Sequence, residues 1–376
     1  GGAQIVAGFF AGLVALALYN TPVPIGPKPN VEWWEAAIVE VIYTAMLCLV
    51  VLGVTAKRNQ PNGFSGLAIG AVLIAAGCGA GGISGAALNP AVSIGMGFWG
   101  NSWRTFGSVF LYVLWQVIGA ALGSFLFRLT HPEDYMADAD LRTYRLKLST
   151  KLSAEFCGTF ILVLTTGLGK VGHSIAVGWA SGACLMSMIY ALCTVSGGHF
   201  NPAVTLATAL CRRINISMRE TFAYISIQFI AGALAGVLYT TICKGKAYAL
   251  EPRRPHSEWS AYVLEGIFTF MIALTVLGAA YPKSIRTPLK RNFYFALAVG
   301  FARFVGVTAT DKVSGGSLNP ALSFGAALAH KMNYGDFYFG LAYTLAELAG
   351  GAASVFVFAL LHSEAYAPRL RQVNAP

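Results

Sequence analysis

Long apolar stretches separated by short polar gaps dominate the chain. Residues 36–56 and 261–280 are almost uninterrupted apolar runs, and about 20 such residues cross the hydrocarbon core of a bilayer as a helix. Basic residues concentrate in the gaps, in segments that begin at Arg142, Cys211 and Pro282. Basic loops beside membrane spans are typical of the cytoplasmic side. The pattern predicts an all-α, integral multi-pass membrane protein and leaves the identity of the membrane open.

The composition supports the membrane class. Of the 376 residues 56% are hydrophobic and only 11% are charged, whereas a soluble chain has about 25% charged residues. The 42 glycines suit membrane helices that pack closely. The net charge of +10 does not indicate nucleic-acid binding, because the basic residues lie in the gaps and no soluble domain is predicted.

The sequence offers no candidate residues for enzyme catalysis or for metal binding. The seven cysteines mostly lie in apolar spans without CxxC spacing, so they are interpreted as small buried hydrophobic residues. A phosphate-binding glycine loop, a nucleophile with a neighbouring base and a cluster of metal ligands are all missing from the pattern. We therefore expect no enzyme activity, no cofactor and no metal.

The tripeptide Asn-Pro-Ala occurs three times, each time after a Gly-rich run that starts with Ser-Gly. Asn is a good helix N-cap and Pro suits the first helical position, so a single copy could be merely a capped helix start. Three copies in one frame within apolar sequence predict a functional element. The motif residues are Asn89, Pro90 and Ala91, then Asn201, Pro202 and Ala203, then Asn319, Pro320 and Ala321.

The apolar stretches after the motifs are too short to span about 30 Å of hydrocarbon. They are predicted to be half-helices that enter the bilayer and stop, which requires burial or a water-filled path. Two half-helices that meet end to end aim their positive dipole ends at one point. Asn amides at that point would orient water or a hydroxyl group and oppose cations and protons.

Each motif follows a helix that contains a carboxylate, namely Glu40, Glu155 or Glu265. The repeat unit is therefore helix, helix, half-helix, helix. The opening stretch AQIVAGFFAGLVALALY is echoed by FAYISIQFIAGALAGVLY, so residues 1–19 are interpreted as the third helix of a unit whose earlier part is absent. They lack the features of a signal peptide.

These features resemble the aquaporin (major intrinsic protein) family over nearly the whole chain. The matching segments are AEFCGTF with Glu155, SGGHFNPAVT with His199, AYISIQFIAGALAG with Gln228, and SGGSLNPALSFG. The resemblance implies aquaporin-like inverted repeats of three helices plus a re-entrant half-helix. Residues 1–129 would be helices three to six of one unit, 130–149 a polar cytoplasmic linker, 150–362 a complete six-helix channel, and 363–376 a C-terminal tail.

The chain departs from the family at the outer constriction, where members usually have an Arg directly after the second Asn-Pro-Ala. None of the residues aligned with the constriction is charged or aromatic, so strict water selectivity is not expected. The aligned residues are Ser181, Val307, Gly316 and Leu322 in the complete unit, and Gly77, Ala86 and Val92 in the first unit.

Other polar residues within the apolar spans have two possible roles. Arg303 lies one helical turn before Val307, where it either faces the pore or braces the fold. Glu40, Glu155 and Glu265 could relay protons, but the resemblance favours hydrogen bonds to the backbone of the re-entrant loops. His199 is expected to brace a loop, with gating as the alternative; the role of Glu347 stays open.

The leading functional hypothesis is passive transport of water or a small neutral solute across the lipid bilayer. A non-conducting membrane scaffold or junction protein is the main alternative, and an ion-coupled transporter with inverted repeats is a weaker one. The family commonly forms tetramers, so a chain with two units implies a homo-oligomer in which two chains supply four channel positions.

Overall fold

The computed structural model describes residues 1–56, 63–100, 103–137, 140, 143–212, 216–280 and 294–363. This part of the chain contains thirteen α-helices and one short 3-10 turn at Pro132–Tyr135. The helices are α1 (Gly2–Tyr19), α2 (Trp33–Thr55), α3 (Ser65–Ala80), α4 (Pro90–Phe98), α5 (Trp103–Thr130), α6 (Leu148–Val171), α7 (Val177–Ser196), α8 (Pro202–Cys211), α9 (Met218–Ile242), α10 (Glu258–Ala280), α11 (Phe295–Thr310), α12 (Pro320–Tyr334) and α13 (Tyr338–Leu361).

Among the described residues, eight helices are long and apolar enough to cross a membrane: α1, α2, α5, α6, α7, α9, α10 and α13. The three helices that follow the Asn-Pro-Ala motifs are shorter, with 9 residues in α4, 10 in α8 and 15 in α12. At about 1.5 Å per residue they are all shorter than the hydrocarbon core. Helices α8 and α12 begin at buried Asn residues inside the bundle, whereas α4 begins after the exposed Asn89.

The start of each short helix follows from its sequence. In all three the Asn has extended backbone, and its side-chain Oδ1 accepts a hydrogen bond from the N–H of the motif's Ala. The Pro that follows occupies the first helical position, where its missing N–H costs no hydrogen bond. The motif therefore fixes where each helix begins. The longest of the three, α12, ends at Gly335 in the left-handed conformation (φ 88°).

The first and last five helices pack in the same way. Helix α2 packs against α5 as α10 packs against α13, and α1 packs on the half-helix α4 as α9 packs on α12. The pairs α2–α3 and α10–α11 also match. Helices α6, α7 and α8 add to the second group by packing on α9, α11 and α13, respectively. The half-helices α8 and α12 thus enter one bundle formed by α6, α7, α9, α10, α11 and α13.

The two groups of helices contact each other through α2 and α3 on one side and α6 and α7 on the other. The Tyr43 hydroxyl donates to Thr165 Oγ1 at 3.0 Å, and Ser187 Oγ donates to the Ala68 carbonyl at 3.0 Å. Both hydrogen bonds are buried. A single apolar core runs across this contact.

The boundaries of two predicted segments differ from the helix ends. Helix α5 continues to Thr130 and α6 already begins at Leu148, so both ends of the predicted linker 130–149 are helical. Only the first residue of the predicted tail 363–376 lies among the described residues, and the basic segment that begins at Pro282 lies outside them.

Candidate functional site

The second and third Asn-Pro-Ala motifs face each other in the middle of the second bundle. Asn201 Nδ2 donates to the carbonyl of Leu318 at 3.0 Å, and Asn319 Nδ2 donates to the carbonyl of Phe200 at 2.8 Å. Each amide thus holds the residue that precedes the other motif. Both Asn side chains are buried, and the N-termini of α8 and α12 converge on them. The convergence of two helix N-termini creates a positive potential at this point.

A buried carboxylate holds the loop that leads to each motif. Glu155 on α6 accepts hydrogen bonds from the backbone N–H groups of His199 (3.0 Å) and Phe200 (2.7 Å), and from the hydroxyl of Ser196 (2.7 Å). The side-chain amide of Gln228 supplies a fourth hydrogen bond at 2.8 Å. Four donors compensate the cost of burying one negative charge.

Glu40 on α2 has the same environment in the first group of helices. It accepts from the N–H groups of Ala87 and Leu88, each at 2.9 Å, and from Ser84 Oγ at 2.6 Å. Gln116 Nε2 donates at 3.1 Å. The loop before the first motif is therefore held in the same way as the loop before the second.

Glu265 on α10 repeats only part of this arrangement. It accepts from the N–H groups of Ser317 (3.1 Å) and Leu318 (2.6 Å) and from Ser314 Oγ (2.5 Å). Where the other two sites have a Gln, this site has Glu347, whose Oε1 accepts from the Asn319 N–H at 2.8 Å. Three loops are thus held by three carboxylates, and only the third site contains a second carboxylate.

Arg303 is the largest fully buried side chain of the described residues, at 1% exposure. Its Nε donates to Ser181 Oγ at 2.9 Å, and its Nη1 donates to the carbonyl of Ser317. Its Nη2 is buried and has no hydrogen-bond partner within the part of the chain that the structure describes. A guanidinium therefore touches Ser181, although the predicted constriction residues themselves are uncharged.

The remaining predicted constriction residues of the second bundle are Val307, Gly316 and Leu322, and Val307 lies one helical turn after Arg303 on α11. Val307 and Leu322 are buried, and Ser181 also lies 3.1 Å from Thr166 Oγ1. Gly316 has a φ of 63°, and a Cβ added there would lie 3.1 Å from the carbonyl oxygen of Val307. Glycine is needed at this position for both reasons. The structure thus brings Ser181, Val307 and Gly316 to the same end of the bundle.

A small cavity lies beside the two Asn side chains. Its polar lining comes from Asn201, Asn319, Arg303 and His199, and aliphatic side chains of α6, α7, α10 and α11 form much of the rest. His199 Nδ1 lies 3.1 Å from Thr205 Oγ1, and its N–H belongs to the Glu155 cluster. His199 therefore both contacts the loop network and lines the cavity.

The constriction positions of the first group are not enclosed. Asn89 caps α4 but is exposed, and Gly77 and Val92 are exposed as well. Ala86, with a φ of 52°, is partly buried. No second Asn-Pro-Ala faces Asn89 within the described ranges. The structure therefore brings two of the three motifs together.

Comparison with known proteins identifies the family. The sequence pattern described as "Major intrinsic protein" matches residues 1–127, 64–169 and 142–358. The chain belongs to the major intrinsic protein family. It is an integral multi-pass membrane protein of a family of passive channels and not an enzyme.

Two plant relatives illustrate the similarity. "Probable aquaporin TIP5-1" of Arabidopsis thaliana is 33% identical over 220 residues, which cover 54% of this chain and 82% of that protein. "Aquaporin NIP1-1" of Oryza sativa subsp. japonica is 31% identical over 222 residues, covering 56% and 74%. Among solved structures, the aquaglyceroporin from Plasmodium falciparum matches 58% of this major intrinsic protein and 99% of its own chain, at 18% identity and a TM-score of 0.49.

Sequence reasoning missed several polar residues near the motifs. Lys170, at the end of α6, has a nearly buried side chain that forms an ion pair with Asp311 and donates to the Gly315 carbonyl at 2.7 Å. The hydroxyls of Ser84, Ser196 and Ser314 each donate to the carboxylate of their own repeat. The Ser of each Ser-Gly-rich approach was the available signal, because it recurs five residues before every Asn.

Proposed function

We propose that residues 150–362 form one conducting pathway for water and small neutral solutes. The observation that carries this proposal is the reciprocal pairing of Asn201 and Asn319 beside a cavity. An amide nitrogen has two N–H groups, so one can hold the facing carbonyl while the other remains for a permeating molecule. Aliphatic walls opposite the amides offer no competing hydrogen bonds, and the permeant is therefore oriented by the Asn pair.

Electrostatics at the pathway favour neutral permeants. The N-termini of α8 and α12 present positive partial charges to the centre, and Arg303 adds a full positive charge on one side of it. Hydrated cations and protons encounter repulsion along the same path that water crosses. A passive channel for neutral molecules follows from this charge distribution together with family membership.

The selectivity constriction is proposed to consist of Ser181, Val307, Gly316 and Leu322 with the guanidinium of Arg303. The free Nη2 of Arg303 is a buried donor without a partner among the described residues, and a water or hydroxyl oxygen would satisfy it. An unsatisfied buried donor costs about 1–3 kcal/mol, so a permeant that accepts this bond is favoured over one that lacks an acceptor.

Residues 1–129 are proposed to be part of a second unit of the same kind. The match of the family pattern to residues 1–127 and the shared packing of α1–α5 and α9–α13 support this interpretation. In the proposed homo-oligomer, two such units lie side by side in each chain and two chains supply four positions; the contact of α2 and α3 with α6 and α7 supports this arrangement.

A non-conducting scaffold is the second candidate, and the position of Arg303 favours it. The side chain crosses from α11 to Ser181 on α7 and to the loop at Ser317, so it narrows the path. Stopped-flow light scattering of proteoliposomes under a sucrose gradient and then a glycerol gradient separates the candidates. Fast water flux supports the channel, and the glycerol run measures how strictly Arg303 limits the solute. Flux equal to that of empty liposomes, with folded and inserted protein, would favour the scaffold.

A further inference from the structure

The third carboxylate site differs from the other two by a Gln-to-Glu exchange. Gln116 contacts Glu40 and Ser93, and Gln228 contacts Glu155 and Thr205. In the third site, Glu347 Oε1 instead lies 2.9 Å from Ser323 Oγ. Ser93, Thr205 and Ser323 are each the fourth residue after the Asn of their motif, so Glu347 occupies the place of the two glutamines.

A second exchange accompanies the first one. Arg303 precedes Asn319 by 16 residues, and Leu73 precedes Asn89 by the same number. Leu73 and Gln116 therefore stand in the first group of helices where Arg303 and Glu347 stand in the second. In the first group, the apolar Leu73 on α3 goes together with the neutral amide of Gln116. In the second group, the guanidinium of Arg303 on α11 goes together with the carboxylate of Glu347.

The two exchanged residues are linked through Ser317. Arg303 Nη1 donates to the Ser317 carbonyl, and the Ser317 hydroxyl lies 2.7 Å from Ser323 Oγ, which contacts Glu347. Glu265 belongs to the same cluster, because it accepts a hydrogen bond from the N–H of Ser317. All three ionisable side chains are buried. Lys170, another cation near this end, is already paired with Asp311.

We infer that Arg303 (in place of Leu) and Glu347 (in place of Gln) are a coupled pair of substitutions whose charges balance. In this pair Glu347 is the positioning residue: its carboxylate allows α11 to carry a cation, Arg303, at the constriction. With its carboxylate ionised, the Glu40 site has a net charge of −1. With Glu265 and Glu347 both ionised, adding Arg303 and replacing Gln by Glu keeps the third site at the same net charge. Either change alone alters it, and a buried uncompensated charge is strongly destabilising.

The coupling of Arg303 and Glu347 does not depend on the proposed pathway. Only the expected effect of the pair on solute permeation rests on that proposed function. At the position that corresponds to Leu73 of the first group, the guanidinium lines the cavity. The guanidinium therefore supplies the constriction with a positive charge and a hydrogen-bond donor. Leu322, on the half-helix α12, supplies neither. The expected permeants are neutral molecules with an acceptor oxygen, and the expected exclusions are protons and metal cations.

A double-mutant cycle on the full chain tests the pairing. Thermal unfolding in detergent, followed by tryptophan fluorescence, would compare Arg303→Leu, Glu347→Gln and the double variant, which recreates the Leu and Gln of the first group. Arg303→Leu should lower the unfolding temperature by about 5 °C or more, because it leaves two carboxylates without their cation. The double variant should recover most of this loss.

A matched control is available in the same chain. Gln116→Glu places a second carboxylate beside Glu40, where Leu73 offers no cation, and should lower the unfolding temperature about as much as Arg303→Leu does. Additive effects in the cycle, or an unchanged unfolding temperature for Gln116→Glu, would overturn the pairing. If Arg303→Leu fails to fold, recovery of a folded double variant still supports the pairing, and failure of both variants overturns it.

Measurements of solute permeability show whether the pair acts on selectivity at the constriction or only on the stability of the fold. The folded double variant in proteoliposomes should show a glycerol-to-water permeability ratio and a proton leak each raised by about tenfold, because the side chain that narrows the path and its positive charge are both removed. Wild-type selectivity in that variant would overturn the constriction role of Arg303. If the wild-type chain conducts nothing, the proposed function fails, whereas the unfolding cycle still decides the pairing.

Discussion

Asn201 and Asn319 hold each other's motifs: the amide of each donates to the carbonyl one residue before the other, at 3.0 and 2.8 Å. Two half-helices from opposite ends of the bundle are thereby joined without a covalent bond or an ion pair. Because each Oδ1 also caps its own helix, one side chain fixes where a half-helix starts and what it faces. Geometry at the centre of the pathway therefore depends on these two side chains.

Replacing Asn201 by Asp should abolish rapid water flux while the helix start survives. The carboxylate keeps the acceptor for the Ala203 N–H, but it loses the donor to the Leu318 carbonyl and brings a negative charge beside it. Loss of this buried hydrogen bond should cost about 1–3 kcal/mol of unfolding free energy. Stopped-flow flux and thermal unfolding of the same preparation measure both effects.

Asn89→Asp is the matched control, because Asn89 caps α4 in the same way but is exposed and faces no motif among the described residues. We expect unchanged flux and an unfolding temperature close to that of the wild type. Equal losses of flux from Asn89→Asp and Asn201→Asp would contradict a pathway located at the facing pair.

The parts of this fold that depend on local pattern could be predicted from the sequence. Three Asn-Pro-Ala triplets with Gly-rich approaches predicted the re-entrant helices, because capping and helix length are local properties. The contact of Arg303 with Ser181 and Ser317 could not be predicted in this way. It joins residues that are 122 and 14 positions apart in the sequence, and helical periodicity does not fix the direction of so long a side chain.

The packing of the two helix groups against each other also could not be predicted from the sequence pattern. Tyr43 and Thr165 are 122 residues apart, and nothing in either apolar helix indicates which neighbour it contacts. The substitution of Glu347 for Gln was visible in the sequence but had no interpretation, since its meaning depends on the matching contacts of Gln116 and Gln228. Tertiary packing supplies this information, and a single sequence does not.

Gly325→Ala should destabilise the second bundle. A Cβ at Gly325 would overlap the carbonyl oxygen of Gly232 on α9, so α12 must move away from α9. Such overpacking costs about 1–3 kcal/mol, and thermal unfolding should report it together with reduced water flux. Gly278→Ala is the control, since no heavy atom of the described residues lies within 4 Å of its added Cβ. An equal effect there would argue against close backbone contact as the cause.

Ser181→Ala should loosen the constriction without unfolding the chain. The substitution removes the acceptor of the Arg303 Nε–H bond, and a more mobile guanidinium should discriminate less against glycerol. We expect the glycerol-to-water permeability ratio to rise about threefold to tenfold, in line with one lost buried hydrogen bond. Thr166→Ala, which removes the other neighbour of Ser181 and leaves Arg303 bonded, should change the ratio less. Identical ratios for the two variants would count against Arg303 as the selective group.

Stability should fall in mild acid because of His131, which lies just after α5. Burial lowers the pKa of His131 from 6.5 to about 4, although Asp134 opposes the shift. The folded state therefore favours the neutral ring, so stability is complete above pH 6.5 and decreases as the pH falls from 6.5 towards 4. At about 1.4 kcal/mol per unit, the loss approaches about 3 kcal/mol.

Thermal unfolding at pH 7.5, 5.5 and 4.5 measures this dependence. His131→Gln removes the titrating ring and should flatten the decline, whereas His173→Asn, a change at an exposed loop residue, should retain it. A decline of equal size in all three proteins would assign the acid sensitivity to other groups.

Water permeability of proteoliposomes, measured at several temperatures, tests most directly whether the facing motifs form a pore. Wild-type chain should shrink the vesicles faster than empty liposomes do, with an activation energy well below that of the lipid, and Asn201→Asp and Asn319→Asp should each remove the difference. Wild-type permeability with the rate and activation energy of lipid alone, in vesicles shown to contain folded protein, would contradict a conducting pathway between Asn201 and Asn319.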